Sequence, residues 1–216
     1  MTTPPSTLAA RLDGTNSVGR FVDPAFTADG SPRASVGLKR LDTLWFNTGS
    51  LCNLECRDCY MESSPRNDRL AYLTAAEVAA YLDEIESAGF GTREIGFTGG
   101  EPFLNPQIIP MIRDSLERGF SVLALTNGMR PMMKLDTALQ ELCEAHGDRL
   151  TLRVSLDHYT ESRHEDFRGP RTWIHTIQGL KWLSDSGFQV HVAGRSVWGE
   201  EEADARAGYG RLFSEL

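Results

Sequence analysis

From Leu41 onward, apolar residues recur along the chain at two alternating periods, one for strands and one for helices. LDTLWFNT (Leu41–Thr48) reads as a first strand. A helix then opens at Thr74, where Glu77 three residues on forms a capping box. Its apolar stripe runs Val78, Tyr81/Leu82, Ile85, and Gly89 suits its stop. Arg93–Thr98 is a second strand running into Gly99-Gly100-Glu101-Pro102. Asn105-Pro106 opens a helix that Gly119 closes, and Phe120–Leu125 is a third strand ending at Thr126-Asn127-Gly128. A helix over Met132–His146, a strand over Leu150–Leu156, a helix over Trp173–Ser186, a strand over Gln189–Ala193 and an acidic helix over Glu200–Phe213 complete the pattern.

Strands alternating with helices imply a mainly parallel sheet with right-handed crossovers. The fourth strand puts Leu150, Leu152, Val154 and Leu156 on one face and Thr151, Arg153, Ser155 and Asp157 on the other. The fifth sets Val190 and Val192 opposite His191, Ala193 and Arg195. A doubly wound sheet buries both faces and reads apolar on both. One apolar and one polar face instead suits a curved sheet whose concave side surrounds a polar ligand, a partial parallel (β/α) barrel. In such a fold function sits at the C-terminal ends of the strands, and the most chemically distinctive residues fall on that rim.

Composition narrows the class. The 216 residues suit one generous domain. Residues 1–38, rich in Pro, Thr, Ser and Gly with only Phe21 and Phe26 as aromatics, read as a partly ordered arm ahead of a core at 39–216. Thirty acidic against 22 basic residues give a net charge of −8. That balance argues against nucleic acid or an anionic membrane as partner. No stretch approaches the ~20 apolar residues of a membrane helix, and the N-terminus has no signal pattern, so a cytoplasmic location is expected.

Three of the four cysteines fall within eight residues, as Cys52-Asn-Leu-Glu-Cys56-Arg-Asp-Cys59. A tight cluster points to metal binding or catalysis rather than to a disulfide frame. Three thiolates on one loop do not complete a four-coordinate structural zinc site. They would hold a [4Fe–4S] cluster with one iron left open to a substrate or cofactor. A zinc loop completed by a distant histidine, or reduced thiols without metal, remain alternatives on spacing alone. Cys143 lies on the Leu135, Leu139, Leu142 stripe and reads as core. His158, His164, His175 and His191 read as structural, and Asn127 as a turn residue beside Gly128.

The C-x3-C-x2-C loop after a first strand resembles that of the radical S-adenosylmethionine enzymes, built on a partial (β/α)6 barrel. CNLECRDCY is similar to the loop of the branch that contains peptide-modifying maturases. Phe97-Thr98-Gly99-Gly100-Glu101-Pro102 resembles the family's GGEP segment, and Thr126-Asn127-Gly128 and Ser155-Leu156-Asp157 its third and fourth strand ends. His164-Glu165-Asp166-Phe167-Arg168-Gly169 resembles the segment after strand four. The resemblance covers roughly Leu41 to Arg195.

It implies a [4Fe–4S] cluster on Cys52, Cys56 and Cys59, with S-adenosylmethionine chelating the open iron. Reductive cleavage would then give a 5′-deoxyadenosyl radical that abstracts a substrate hydrogen. Gly99, Gly100 and Pro102 would approach the methionine moiety and Glu101 would accept from its ammonium. Ser155 and Asp157 would meet the ribose hydroxyls or the carboxylate, and Arg195 the carboxylate. An electron donor of flavodoxin or ferredoxin type and a small-molecule or peptide substrate are the implied partners. Asp58 stands before the third cysteine, where the family often has an aromatic residue, so Tyr60 is the candidate for the adenine contact. Five strands are read and the family's sixth is not among them, so the fifth would expose an unpaired edge unless the N-terminal arm or another chain covers it. A cluster-binding but catalytically silent fragment and a zinc-binding interaction module are the competing readings.

Overall fold

The computed structural model describes residues 22–216. Residues 1–21, most of the expected arm, lie outside the described residues. The chain divides into compact units at Lys39/Arg40. Within the described part of the first, Phe26 and Pro32 form an antiparallel bridge around a turn, with Thr27 N donating to Ser31 O at 2.9 Å.

The second unit holds five strands: β1 (Thr43–Asn47), β2 (Glu94–Thr98), β3 (Ser121–Thr126), β4 (Leu150–Ser155) and β5 (Gln189–Ala193). They form one sheet in the order β1-β2-β3-β4-β5, all parallel. A sheet wound in strict sequence has no reversal of strand order, unlike a doubly wound sheet, and every crossover covers the same face. Burial follows this topology. Phe46, Ile95, Phe97, Val122, Ala124, Leu150, Leu152 and Val154 form the buried face, packed with Val78, Leu82, Ile112, Leu116, Leu139 and Leu142 from the helices. On β4 the alternation is complete: Leu150, Leu152 and Val154 buried, Thr151, Arg153 and Ser155 partly exposed. The expected α/β partial barrel is the fold. The sheet does not close, and among the described residues β5 pairs only with β4.

Among the described residues six α-helices connect the strands, α1 (Ala75–Ala88), α2 (Ile108–Glu117), α3 (Arg130–Met133), α4 (Asp136–His146), α5 (Glu161–Arg168) and α6 (Thr172–Asp185), and α7 (Glu202–Glu215) follows β5. The capping box at Thr74 is formed: its hydroxyl accepts from Glu77 N at 3.2 Å and Glu77 accepts from Thr74 N at 2.8 Å. Asn105 does not open α2, which starts three residues later. It is buried instead, donating to Thr48 O at 3.0 Å and Leu73 O at 2.8 Å, and so ties the end of β1 to the approach of α1. The single helix expected over Met132–His146 is broken at Lys134–Leu135, because α3 begins early, with Pro131 in its first turn.

Candidate functional site

The strands end at one rim, and the cysteine loop lies across it. Its anchorage begins in the backbone: Gly100 N donates to Gly49 O at 2.9 Å and Glu101 N to Leu51 O at 3.0 Å. This sets the role of the two glycines. A Cβ on Gly99 would stand 2.7 Å from Gly49 O, and one on Gly100 would run into the Leu51 carbonyl. The pair is therefore required where the end of β2 meets the entry to the cysteine loop, whatever else approaches it. Cys52 N donates to Ser64 O at 3.1 Å and Arg57 N to Phe167 O at 2.9 Å, fixing both ends of the loop. The Arg57 and Arg195 guanidinium groups lie 4.3 and 4.9 Å from the Phe167 ring centroid, so α5 grips the loop through cation–π contacts.

A cavity of about 190 Å3 opens on this rim. Cys52, Cys56 and Cys59 line it together. Gly99, Gly100 and Pro102 face them from the end of β2, Ser155 from the end of β4, and Arg195 from beyond β5. Tyr60 lines the mouth and is 85% exposed. Arg168, which the motif reading did not single out, also lines the cavity. Its only signal in the sequence was its place in His164–Gly169.

Two expected ligands of the bound molecule are turned elsewhere. Glu101 does not line the cavity. Its buried carboxylate accepts from Phe103 N at 3.2 Å, Thr126 Oγ1 at 2.9 Å and Asn127 N at 2.8 Å, which locks the GGEP turn to the end of β3. Asp157 is likewise buried. It takes a two-pronged ion pair from Arg168, Nε to Oδ2 and Nη2 to Oδ1, each at 3.0 Å. Arg195 Nε lies 3.2 Å from Asp157 Oδ1 without the alignment of a hydrogen bond, and Arg195 N donates to Asp157 O at 2.8 Å. Asp157 thus orients two cavity-facing arginines. Asn127 is the turn residue expected, its Oδ1 accepting from Met129 N at 3.1 Å. Cys143, on α4, stays apart, with Gly187 O 3.8 Å from its sulfur.

The donor set fits an iron–sulfur cluster. Leu54 N donates to the Cys52 sulfur at 3.4 Å and Ser63 N to the Cys59 sulfur at 3.3 Å, contacts that favour thiolates. Ser63 Oγ lines the cavity buried and without a partner. Among the described residues no three His, Cys, Asp or Glu side chains are gathered closely enough to hold one metal ion. Burial pushes the metal-free Cys52 thiol up to about 12 and Cys56 upward as well, so loading the loop releases protons.

Two further groups at the rim have displaced pKa values of opposite consequence. Burial lifts Glu101 to about 7 against its three donors, and burial, with Arg168 nearby, lowers His164 to about 4. For Glu101, the folded chain keeps between pH 4.5 and 7 a proton that the unfolded chain has lost, so this term weakens folding as pH rises. For His164, the unfolded chain holds between about pH 4 and 6.5 a proton that the folded chain lacks, so this term strengthens folding as pH rises. Comparing wild type with His164→Gln isolates the second term. In urea titrations the stability gap is expected to widen in favour of wild type as pH rises across that window and to stay level above it. A gap that does not change with pH would contradict the buried neutral imidazole.

A sequentially wound, open parallel sheet with three loop thiols beside a glycine-lined cavity at its C-terminal rim defines a cluster-carrying partial-barrel protein. Residues 46–206 match the sequence profile of the Radical SAM superfamily, and the chain belongs to it. This superfamily uses a [4Fe–4S] cluster and S-adenosylmethionine. Among similar proteins is the antilisterial bacteriocin subtilosin biosynthesis protein AlbA of Bacillus subtilis, 32% identical over 66% of this chain and 30% of AlbA. A GTP 3′,8-cyclase of Microcystis aeruginosa is 29% identical over 70% of this chain and 46% of the cyclase. Among solved structures, SuiB of Streptococcus suis bound to S-adenosylmethionine shares the fold, with a TM-score of 0.65 at 18% identity over 82% of this chain and 39% of SuiB. SuiB bound to precursor peptide SuiA matches equally, at 0.65. The chain thus spans from about a third to under half the length of these relatives. No helix among the described residues is long and apolar enough to cross a membrane.

Proposed function

We propose that this chain is the core of a radical S-adenosylmethionine enzyme, with Cys52, Cys56 and Cys59 holding a [4Fe–4S] cluster. The observation that carries the reading is the convergence of these three thiols, Gly99–Gly100 and Arg195 on one cavity at the strand ends. When loaded, the cluster and its nucleoside partner supply reductive C–S cleavage, yielding methionine and a 5′-deoxyadenosyl radical that takes a substrate hydrogen. The protein's own residues hold and shield that pair. Three thiolates leave one iron for the amino and carboxylate groups of the methionine moiety. Arg195, which lines the cavity with nitrogens not committed to Asp157, would pair with that carboxylate, and Arg168 would add positive charge. Ser155 would offer a hydroxyl to the ribose, and Tyr60 an aromatic ring to adenine. Glu101 and Asp157 act as positioning residues, the first for the GGEP turn and the second for the two arginines.

The electron comes from an external donor of flavodoxin or ferredoxin type. A peptide substrate is favoured by similarity to AlbA and to SuiB, the latter solved with its precursor peptide. Anaerobic reconstitution with iron and sulfide, followed by dithionite and S-adenosylmethionine, tests the reading by chromatography of the products. The expected result is an iron–sulfur chromophore and 5′-deoxyadenosine. A chromophore without product would favour the silent fragment. Zinc occupancy without an iron chromophore would favour the interaction module.

A further inference from the structure

The cavity wall carries one buried hydroxyl that no other group of the protein engages. Ser63 is 3% exposed and lines the cavity, and its Oγ has no hydrogen-bond partner. An unmade hydrogen bond on a buried hydroxyl is costly, so such groups are paired as a rule. This chain keeps the rule elsewhere. Every other buried serine or threonine residue among those described donates its hydroxyl inside the protein. At the same rim Thr48 Oγ1 donates to Thr98 O at 3.0 Å, Ser50 Oγ to Asn67 O at 2.9 Å and Thr126 Oγ1 to Glu101 at 2.9 Å. The partly exposed Thr92 also has an unpaired hydroxyl, but it precedes β2 and lies at the far end of that strand from the rim. Ser63 is the exception on the wall shared with the three thiols.

Its backbone ties it to that wall. Ser63 N donates to the Cys59 sulfur at 3.3 Å, and the next residue's carbonyl, Ser64 O, accepts from Cys52 N at 3.1 Å. The chain turns back toward the loop at Glu62, whose N donates to Cys59 O at 2.9 Å and whose φ of 52° lies in the left-handed region. L-residues enter that region at a cost. Asn67 Nδ2 holds the turn by donating to Glu62 O at 2.8 Å. A strained, braced turn therefore delivers a buried hydroxyl beside the thiols and leaves its proton uncommitted.

We propose that Ser63 donates this hydrogen to a sulfur of the bound cluster, thiolate or sulfide, and so raises the cluster's reduction potential. Reduction adds one negative charge to the cluster, and a donor on its sulfur stabilises the more negative form more. The assignment rests on the cluster reading of the three thiols. It adds a residue outside the C-x3-C-x2-C loop that sets how readily the cluster takes its electron.

The test compares wild type, Ser63→Ala and Ser63→Thr as full chains, first without iron and then after anaerobic reconstitution. In urea titrations of the iron-free proteins Ser63→Ala is expected to be at least as stable as wild type, since the hydroxyl it removes has no partner to lose. Iron and sulfide contents after reconstitution should match in all three. A redox titration followed by electron paramagnetic resonance, without S-adenosylmethionine, then reads the effect. At the potential that half-reduces the wild-type cluster, the ratio of reduced to oxidised cluster in Ser63→Ala should be about threefold lower, while Ser63→Thr, which keeps the hydroxyl, stays near wild type. A midpoint unchanged in Ser63→Ala, or shifted equally in Ser63→Thr, would overturn the assignment. So would a Ser63→Ala chain that is less stable without iron or fails to load, because the hydroxyl would then be a structural group. If wild type itself takes up no iron–sulfur cluster, the cluster reading falls and this assignment with it. A loaded wild type with no such shift in Ser63→Ala removes this assignment alone.

Discussion

Cys56→Ala is expected to abolish cluster assembly, whereas Cys143→Ala leaves iron content at the wild-type level. Cys56 is the middle thiol of the loop and lines the cavity with the other two, while Cys143 sits on α4 beside Gly187. Removing one of three thiolates leaves two irons without a protein ligand, and two thiolates on a solvent-open rim do not retain a cube. Folding of the variant should be near wild type, because the loop is held by backbone bonds from Cys52 and Arg57 and by the Phe167 contacts, none of which uses the Cys56 sulfur. Iron and sulfide analysis after anaerobic reconstitution reads the result. Equal iron in wild type and Cys56→Ala would remove the thiol loop from the account.

The largest effect on stability is expected from Asp157→Asn. The carboxylate is 3% exposed and faces Arg168, 12% exposed, and Arg195, 29% exposed. Asparagine keeps the shape but leaves two arginines at a mostly buried site without their anion. Breaking a buried pair from one side costs about 3–5 kcal/mol, since the surviving charge stays desolvated. The partial exposure of Arg195 places the expected loss toward the lower end. Urea titration of the two proteins measures it. A loss below about 1 kcal/mol would mean that water already screens the arginines, as at a surface pair.

The strand positions and the rim are legible in the sequence, because both rest on local patterns. The fifth strand falls on Gln189–Ala193 as read, and β4 alternates as its residues require. The α5 helix is not legible for an equally local reason. ESRHEDFR buries only His164 and Phe167, so no apolar stripe announces it, and Thr160 supplies no side-chain cap. β4 and β5 alone make the concave face polar; on β1 to β3 it carries Trp45, Leu123 and Leu125, which makes it two-sided in character.

Residue roles at the site were the least readable. Glu101 and Asp157 have the chemistry of ligands, but their partners, Thr126 and Asn127 for one and Arg168 and Arg195 for the other, come from other strand ends and from α5. Only the fold brings those groups together. The same holds for Gly99 and Gly100, whose missing side chains make room first for the backbone of the cysteine loop.

The most direct measurement is low-temperature electron paramagnetic resonance of the reconstituted, dithionite-reduced protein, recorded with and without S-adenosylmethionine. A four-iron signal whose g-values shift on adding the nucleoside is the result this account requires, since only an iron lacking a protein thiolate can take a new ligand. A four-iron signal indifferent to the nucleoside, or none at all in protein that has kept its fold, would contradict it.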